Sequence, residues 1–534
     1  MNYMYVVSVP NRNSPPAILL REAFREKGKV KNRTLANLSS WPTARIDLLR
    51  RLLKGELDTT QFAEPVAGPI FGTLFALKSI AAKLGVTKAL GNNRDGKLAL
   101  FLVLARVAHQ GSRLSAVRWA QNHAVAETLG LHDFDEDDLY ATLDHVCRRQ
   151  EAIEKSLWKT YLKKHGAPPT LFLYDVTSTY LEGEHNALGR FGYNRDGKRG
   201  KLQIVIGLLA DTHGEPLAVR VFYGNTADPA TVLTQIEIMT QKFKVADVIF
   251  VGDRGMVKSV GKKALAEAGL RYISALTDPQ IRTLLQNKVI QLELFHHEVC
   301  EVEAANVRYV LRRNPDEAKR IQHRFDDKLA VFRSKLTARN ERVEKSSRAN
   351  PQVGLRALRE WLRRHKMHAA IQLELKGRAI EYQVDATAEK YSLELAGCYV
   401  IATDVAKDKL DTRAIHDSYM ALQKVERDFR TMKTGLLEIR PVFVQKETRT
   451  RGHVFCCMLA LKVSRELERQ LTSVFGTTDK DPRAIRVAEA LTILGRLPLL
   501  TYSVGGKTLL TRLPRPDALQ EKVLAALEIS LPTS

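Results

Sequence analysis

Two stretches decide the fold: Leu171-Phe172-Leu173-Tyr174-Asp175, just after Pro168-Pro169, and Val248-Ile249-Phe250-Val251-Gly252-Asp253. A run of about five apolar residues that stops at a turn has the pattern of a strand buried on both faces. Each run ends on an aspartate. A third acid, Glu426, lies in a long helical stretch from Asp411 to Leu437, where Tyr419, Glu426 and Lys433 recur at every seventh position. Seven residues make two helical turns with a drift of about 20°, so the three side chains share one face. Two carboxylates at strand ends and one on a helix, in a strongly basic chain, suit metal-dependent phosphoryl transfer on nucleic acid.

The surrounding pattern extends this. Leu171–Thr179, Leu202–Ala210 and Leu217–Tyr223 are successive strand candidates. Thr231–Phe243 then reads as helix, Val248–Gly252 as strand, Ser259–Ala268 as helix and Tyr272–Leu276 as strand. Three strands followed by alternating helix and strand is the order of an RNase H-like α/β core, whose first and fourth strands lie side by side. That fold would bring Asp175 and Asp253 together. Residues 280–404 interrupt the core: the charged, helical Arg312–Met367 is flanked by strand-like Val289–Val310 and Ile371–Thr403. This is too long for a loop and predicts an inserted subdomain.

The expected fold class is therefore α/β, an RNase H-like catalytic core with a long α+β insertion, a helical N-terminal region and a small C-terminal region. The expected boundaries are a strand-bearing basic arm at 1–60, with strands Met4–Val9 and Val30–Leu38, and a helical DNA-binding region at 61–168. The core follows at 169–279 and 405–475 around the insertion at 280–404, and 476–534 is a candidate for dimerisation. In the helical region Leu98–Val107, Ser112–Gln121 and Asp135–Glu154 read either as a sequence reader or as a packing domain without DNA contact.

The net charge of +23 over 534 residues attracts polyanions and would make binding steeply salt-dependent. The plainer alternative is charge that only keeps the protein soluble. Basic clusters at Arg21–Arg33, Lys198–Lys201, Arg312–Lys366 and Lys446–Arg451 favour an extended surface over one tail. The five cysteines show neither metal-ligand spacing nor a disulfide framework, which predicts a reducing, cytoplasmic setting. Met1-Asn2-Tyr3-Met4 opens no signal-peptide pattern. Leu98–Ala108 is too short to span a bilayer and contains Arg106, so no membrane association is expected. Gly505-Gly506-Lys507-Thr508 lacks the leading glycine and spacing of a phosphate loop.

With these residues in place, the chain resembles DDE-type transposases of bacterial insertion sequences, in the group marked by a Tyr-x2-Arg-x3-Glu-x6-Lys signature. The signature here spans Tyr419, Leu422, Glu426 and Lys433, with leucine at the arginine position. Tyr174-Asp175-Val176-Thr177-Ser178-Thr179, Gly252-Asp253-Arg254-Gly255, the turn Gly224-Asn225-Thr226-Ala227-Asp228 and the long insertion add to the likeness, which covers roughly residues 170–475. It implies a two-metal site: Asp175 bridging two Mg²⁺ ions (Mn²⁺ as substitute), Asp253 holding one and Glu426 the other. It also implies that Tyr419 and Lys433 hold phosphates flanking the cut, with Arg254 and Trp361 as further DNA contacts and Arg430 replacing the missing arginine. The partners would be double-stranded DNA, both element ends and target, and a second copy of the chain in a synaptic homodimer. A cut-and-paste route, by way of hairpin ends, would follow.

Competing readings are weaker. Asp228 before Pro229 reads as a helix N-cap, Asp428 lies about 200° around the helix from Glu426, and Asp404 and Asp411 read as turn and cap residues. His296-His297 and His365/His368 have no third ligand at useful spacing. Trp361 reads more readily as the apolar anchor of an amphipathic helix, and Tyr382 and Tyr391 are two further aromatics of the insertion. Two other classes keep the same acids: a non-transposing RNase H-like nuclease, and a catalytically silent DNA-binding descendant of a transposase.

Overall fold

In the computed structural model the basic arm folds as an antiparallel meander, β1 (Tyr3–Val9), β2 (Ala17–Glu26) and β3 (Lys29–Asn37). The basic cluster Arg21–Arg33 is thus largely a pair of strands. Its cations sit opposite acids: Arg33 reaches Glu22 at 2.6 Å, and Lys31 pairs with Glu26. β3 covers the expected Val30–Leu38 to within a residue, whereas β2, whose second half Arg21–Glu26 carries mixed charge, was not expected. The structure describes all residues except 1–2, 13–14, 27, 57–63, 297–298, 434–436, 441, 478–480, 482–483, 505–506 and 533–534. Met1, Asn2, His297, Gly505 and Gly506, weighed above, lie outside the described residues.

The chain divides into two compact units. The smaller comprises residues 1–80, 114–134 and 467–534. Besides the meander it holds a second antiparallel sheet, in which β4 (Glu64–Ile70) pairs with Pro498–Val504, itself paired with Lys507–Arg512. A strand from the start of the chain is thus completed by a hairpin from its end.

The larger unit comprises residues 81–113 and 135–466. Its strands are β5 (Leu171–Tyr180), β6 (Gln203–Asp211), β7 (Pro216–Tyr223), β8 (Ile249–Gly252), β9 (Arg271–Ala275), β10 (Cys300–Ala304), β11 (Val307–Arg313), β12 (Ile371–Lys376), β13 (Ala379–Val384) and β14 (Cys398–Thr403). Eight form one sheet in the order β10-β11-β14-β9-β8-β5-β6-β7. β5, β6 and β7 run antiparallel, while β8 and β9 join parallel to β5. β5 and β8 are near-continuous apolar runs because both faces of the sheet are covered. Phe172, Tyr174 and Phe250 are fully buried, each contributing about 1.5–3 kcal/mol by leaving water.

On one face the helix Glu136–His165 brings Trp158 and Tyr161 into the core beside Phe172 and Phe243. A capping box formed by Asp135 and Asp138 starts it, and Gly166, in the left-handed region at φ 78°, ends it. The helix Leu422–Lys433 packs against β5. It buries Leu422, Val425, Phe429 and Met432, one stripe at helical spacing, and leaves Glu426 outside that stripe.

Two expectations change. The stretch Asp411–Leu437 is not one helix but two, Thr412–Met420 and Leu422–Lys433, separated at Ala421. The insertion is not wholly separate: β10, β11 and β14 extend the main sheet beyond β9. Only the helices Pro315–Lys345 and Pro351–Arg364, with the β12–β13 hairpin, build a core of their own around Phe325, Phe332, Leu355, Leu362 and Ile380. No helix among the described residues is long and apolar enough to cross a membrane, and the five cysteines are unpaired.

Candidate active site

The parallel pairing of β5 with β8 ends at Tyr174 opposite Gly252. Asp175 and Asp253 are the next residues on each chain, so they lie side by side where the sheet opens. Asp175 does not end its strand, as the apolar run suggested; β5 continues to Tyr180, with Asp175 paired to Leu208 of β6. β8 is the strand that stops. Beyond it the turn Asp253-Arg254-Gly255 needs glycine for its left-handed φ of 71°. The Asp253 carbonyl accepts from Ser274 Oγ at 3.0 Å and from the Met256 N–H at 3.1 Å, which fixes the turn.

Glu426 faces this pair from the Leu422–Lys433 helix. Burial, then the charge of Asp253 and more weakly that of Glu426, pushes the Asp175 carboxyl up to about 7. Partial desolvation and Asp253 likewise raise Glu426, against the opposing charge of Arg430, 4.0 Å away. The two acids on the strands and the one on the helix are thus close enough to repel. Tyr419, at the end of the preceding helix, donates from its hydroxyl to Asp253 Oδ1 at 3.1 Å. Desolvation and the Asp253 charge raise that phenol, so it remains a donor.

Among the described residues no group of three or more His, Cys, Asp or Glu side chains is set closely enough to hold one ion between them. The three acids offer hard carboxylate oxygens that repel one another, the donor chemistry Mg²⁺ and Mn²⁺ accept.

The remaining residues divide. Tyr419 and Glu426 both lie within reach of the Asp253 charge, while Lys433 donates to Asp196 at 2.9 Å. Leu422, at the position where the signature has arginine, is buried and packs in the core. Arg430 is exposed beside Glu426. Arg254 pairs with Asp278 at 2.9 Å. Trp361 packs beside Phe332 and stacks on His365 at 3.9 Å, contacts that suit an apolar anchor. Tyr382 packs edge-on against Phe332 and accepts from Arg333 at 2.7 Å. Tyr391 is exposed under the Arg282 guanidinium at 3.7 Å.

Of the competing acids, Asp411 caps its helix through the Ala414 N–H, Asp404 accepts from the Tyr272 N–H, and Asp428 is buried against Arg465 at 2.6 Å. Asp228 is not an N-cap, since Ala227 holds that position. Its two oxygens instead take Arg195 at 2.8 and 2.6 Å. Arg195, Asp228, Arg254, Lys258 and the exposed Tyr193 line a cavity of about 420 Å³ beside Asp253. Arg195, Asp196 and Arg440 were not singled out by the sequence. For Arg195 and Asp196 the signal was Asn194-Arg195-Asp196-Gly197-Lys198, which reads as a basic turn.

Comparison with known proteins adds one family. Residues 6–65 match the model of the IS1634 family transposase N-terminal domain. This falls outside the stretch from 170 to 475 on which the likeness above rests, and it supports a transposase. No curated protein matches the chain. Among solved structures, the cryo-EM structure of a piggyBac transposase synaptic complex with hairpin DNA aligns at 9% identity and a TM-score of 0.34, over 79% of this chain and 78% of that one. A similarity that low decides nothing about this chain.

Proposed function

We propose that this chain is a DDE-type transposase that binds the terminal inverted repeats of an insertion sequence, cleaves the DNA strand there and transfers the freed end to target DNA. The observation that carries it is the meeting of Asp175, Asp253 and Glu426 from β5, the turn after β8 and the Leu422–Lys433 helix. Acids this far apart in sequence, set to repel one another, serve no packing purpose. They suit cations that neutralise them. The strand order β7-β6-β5-β8-β9 is the one expected of an RNase H-like core and supports the same reading.

In this reading Asp175, Asp253 and Glu426 would hold two Mg²⁺ ions, which would supply activation of the nucleophile and stabilisation of charge on the phosphorus and the leaving oxygen. The protein's own work is positioning. Tyr419 orients Asp253 through its hydroxyl, and Lys433 and Arg254 present cations to backbone phosphates. Water attacks the scissile phosphorus, and the departing 3′-oxygen takes up a proton. That 3′-hydroxyl then attacks a phosphorus of the target strand at the same site and expels the target's own 3′-oxygen, which takes up the proton the attacking hydroxyl loses. DNA bridging two copies of the chain belongs to the same proposal.

The test separates transposase from nuclease. Purified protein is incubated with Mg²⁺, DNA ending in the sequence that flanks the gene, and a circular target plasmid. Covalent joining of those ends to the plasmid supports the proposal. Cutting without joining, at sites unrelated to the ends, supports a non-transposing nuclease instead.

A further inference from the structure

Asp196 is a carboxylate that the account so far leaves without a task. Its side chain is only 1% exposed. It accepts from the Tyr180 N–H at 3.1 Å, from Lys433 Nζ at 2.9 Å and from the Arg440 guanidinium. The turn holding it is tied down on both sides: the Asp196 N–H donates to Asn194 Oδ1 at 2.8 Å, and the Arg195 N–H to Ser178 Oγ at 2.9 Å. Ser178 and Tyr180 belong to β5, the strand that carries Asp175. Arg440 also donates from Nε to the Lys433 backbone carbonyl at 3.2 Å, which ties its side chain to the end of the helix that carries Lys433.

The charges do not balance on that carboxylate. Two cations converge on one anion, while the neighbouring Arg195 is already paired with Asp228. Buried ion pairs are poor devices for stability, because desolvation offsets much of the attraction. A fixed geometry with a surplus positive charge is instead what anion recognition requires. Lys433 follows Glu426 by seven residues on one helix, about 10 Å along its axis at 1.5 Å per residue. That spans two to three nucleotides of a B-form strand at about 3.4 Å each.

We propose that Asp196 is a positioning residue that holds Lys433 and Arg440 as a paired cradle for the backbone phosphate two or three nucleotides from the reacting one. This rests on the DNA-cleaving reading above. Asp196 does not touch DNA; it acts through the two cations.

The experiment uses the full chain with end-containing duplex DNA and compares wild type, Asp196→Asn, Lys433→Met and the double variant. Each is measured for single-turnover cleavage, for DNA affinity across a salt series and for melting temperature. Asp196→Asn is expected to slow cleavage at least tenfold while DNA affinity holds or rises, since a negative charge has been removed. The double variant is expected to be slowed by less than the product of the single effects, because Asp196 acts in part through Lys433. Wild-type cleavage by Asp196→Asn overturns the inference, as does a double variant slowed by the product of the single effects. Parallel loss of affinity, cleavage and melting temperature also overturns it, since that is a purely structural role. If Asp196→Asn does not fold, Arg440→Gln serves, because it leaves the Asp196–Lys433 pair intact. It is expected to reduce the slope of log affinity against log salt by about 0.9, and an unchanged slope overturns the inference. Failure of the DNA-cleaving reading itself shows separately, as wild-type protein that cuts no DNA.

Discussion

The Tyr419 hydroxyl meets Asp253 Oδ1 at 3.1 Å across 166 positions of sequence. The bond ties the end of one helix to the turn after β8, and the next helix begins two residues later with Glu426 on its second turn. Tyr419 therefore links the strand acid to the helix that carries the third acid.

Tyr419→Phe keeps the ring and removes only the donor. A hydrogen bond to a charged acceptor is worth about 1.5–3 kcal/mol, so strand cleavage is expected to slow about tenfold or more. Circular dichroism melting should stay close to wild type. A cleavage rate unchanged from wild type removes Tyr419 from the site.

Asp175 makes stability depend on pH in a set direction. Its folded value of about 7 lies above the ordinary aspartate value of about 3.9, so the native state binds the proton more tightly than the unfolded chain. The stability this group contributes is full at low pH and is lost as pH rises from about 4 to about 7. Asp175→Asn is therefore expected to raise the melting temperature at pH 8 and to change it little at pH 4. Adding Mg²⁺ at pH 8 should stabilise wild type and not the variant. Equal shifts at both pH values would remove Asp175 from the cluster.

Glu154 and Arg220 join the Glu136–His165 helix to β7 through two bonds of 2.6 and 2.8 Å, with Glu154 2% exposed. Glu154→Ala strands a buried guanidinium and should cost about 3–5 kcal/mol. Glu360 and Arg364 lie 3.0 Å apart but are 72% and 65% exposed, and Glu360→Ala should stay within about 0.5 kcal/mol. Urea unfolding of both variants checks the contrast, which vanishes if Glu154 is already hydrated.

Gly207 lies opposite Val176, where an added Cβ would strike the Tyr174 hydroxyl. Gly207→Ala should overpack the sheet and cost about 1–3 kcal/mol. Because β5 carries both Tyr174 and Asp175, cleavage should fall with stability, measured by melting and cleavage on the same preparation. Full activity with an unchanged melting temperature would show that β5 adjusts freely.

The core strands were legible because burial on both faces writes an unbroken apolar run, as in Leu171–Tyr174 and Ile249–Val251. Their adjacency needed a fold pattern as well. β2 was passed over because its apolar start, Ala17–Leu20, gives way after four residues to the mixed-charge Arg21-Glu22-Ala23-Phe24-Arg25-Glu26. β4 was hidden because its partner, Pro498–Val504, lies more than four hundred residues away. The break at Ala421 left no mark, since it is made without proline or glycine and preserves the face shared by Tyr419 and Glu426. Asp196 was passed over for a related reason: its partners Lys433 and Arg440 are 237 and 244 positions distant, and locally it is one acid in a basic turn.

The central claim is that Asp175, Asp253 and Glu426 form one metal-dependent cleavage site, and Glu426→Gln tests it most directly, because the side chain is exposed and the substitution nearly isosteric. Wild type and variant are incubated with Mg²⁺ and a plasmid carrying the DNA that flanks this gene, and DNA binding is measured in parallel. The account predicts cutting at the element boundary that leaves a 3′-hydroxyl in wild type and is lost in the variant, with DNA binding retained. Cutting that survives in Glu426→Gln, or tight binding by wild type with no cutting at all, would contradict it.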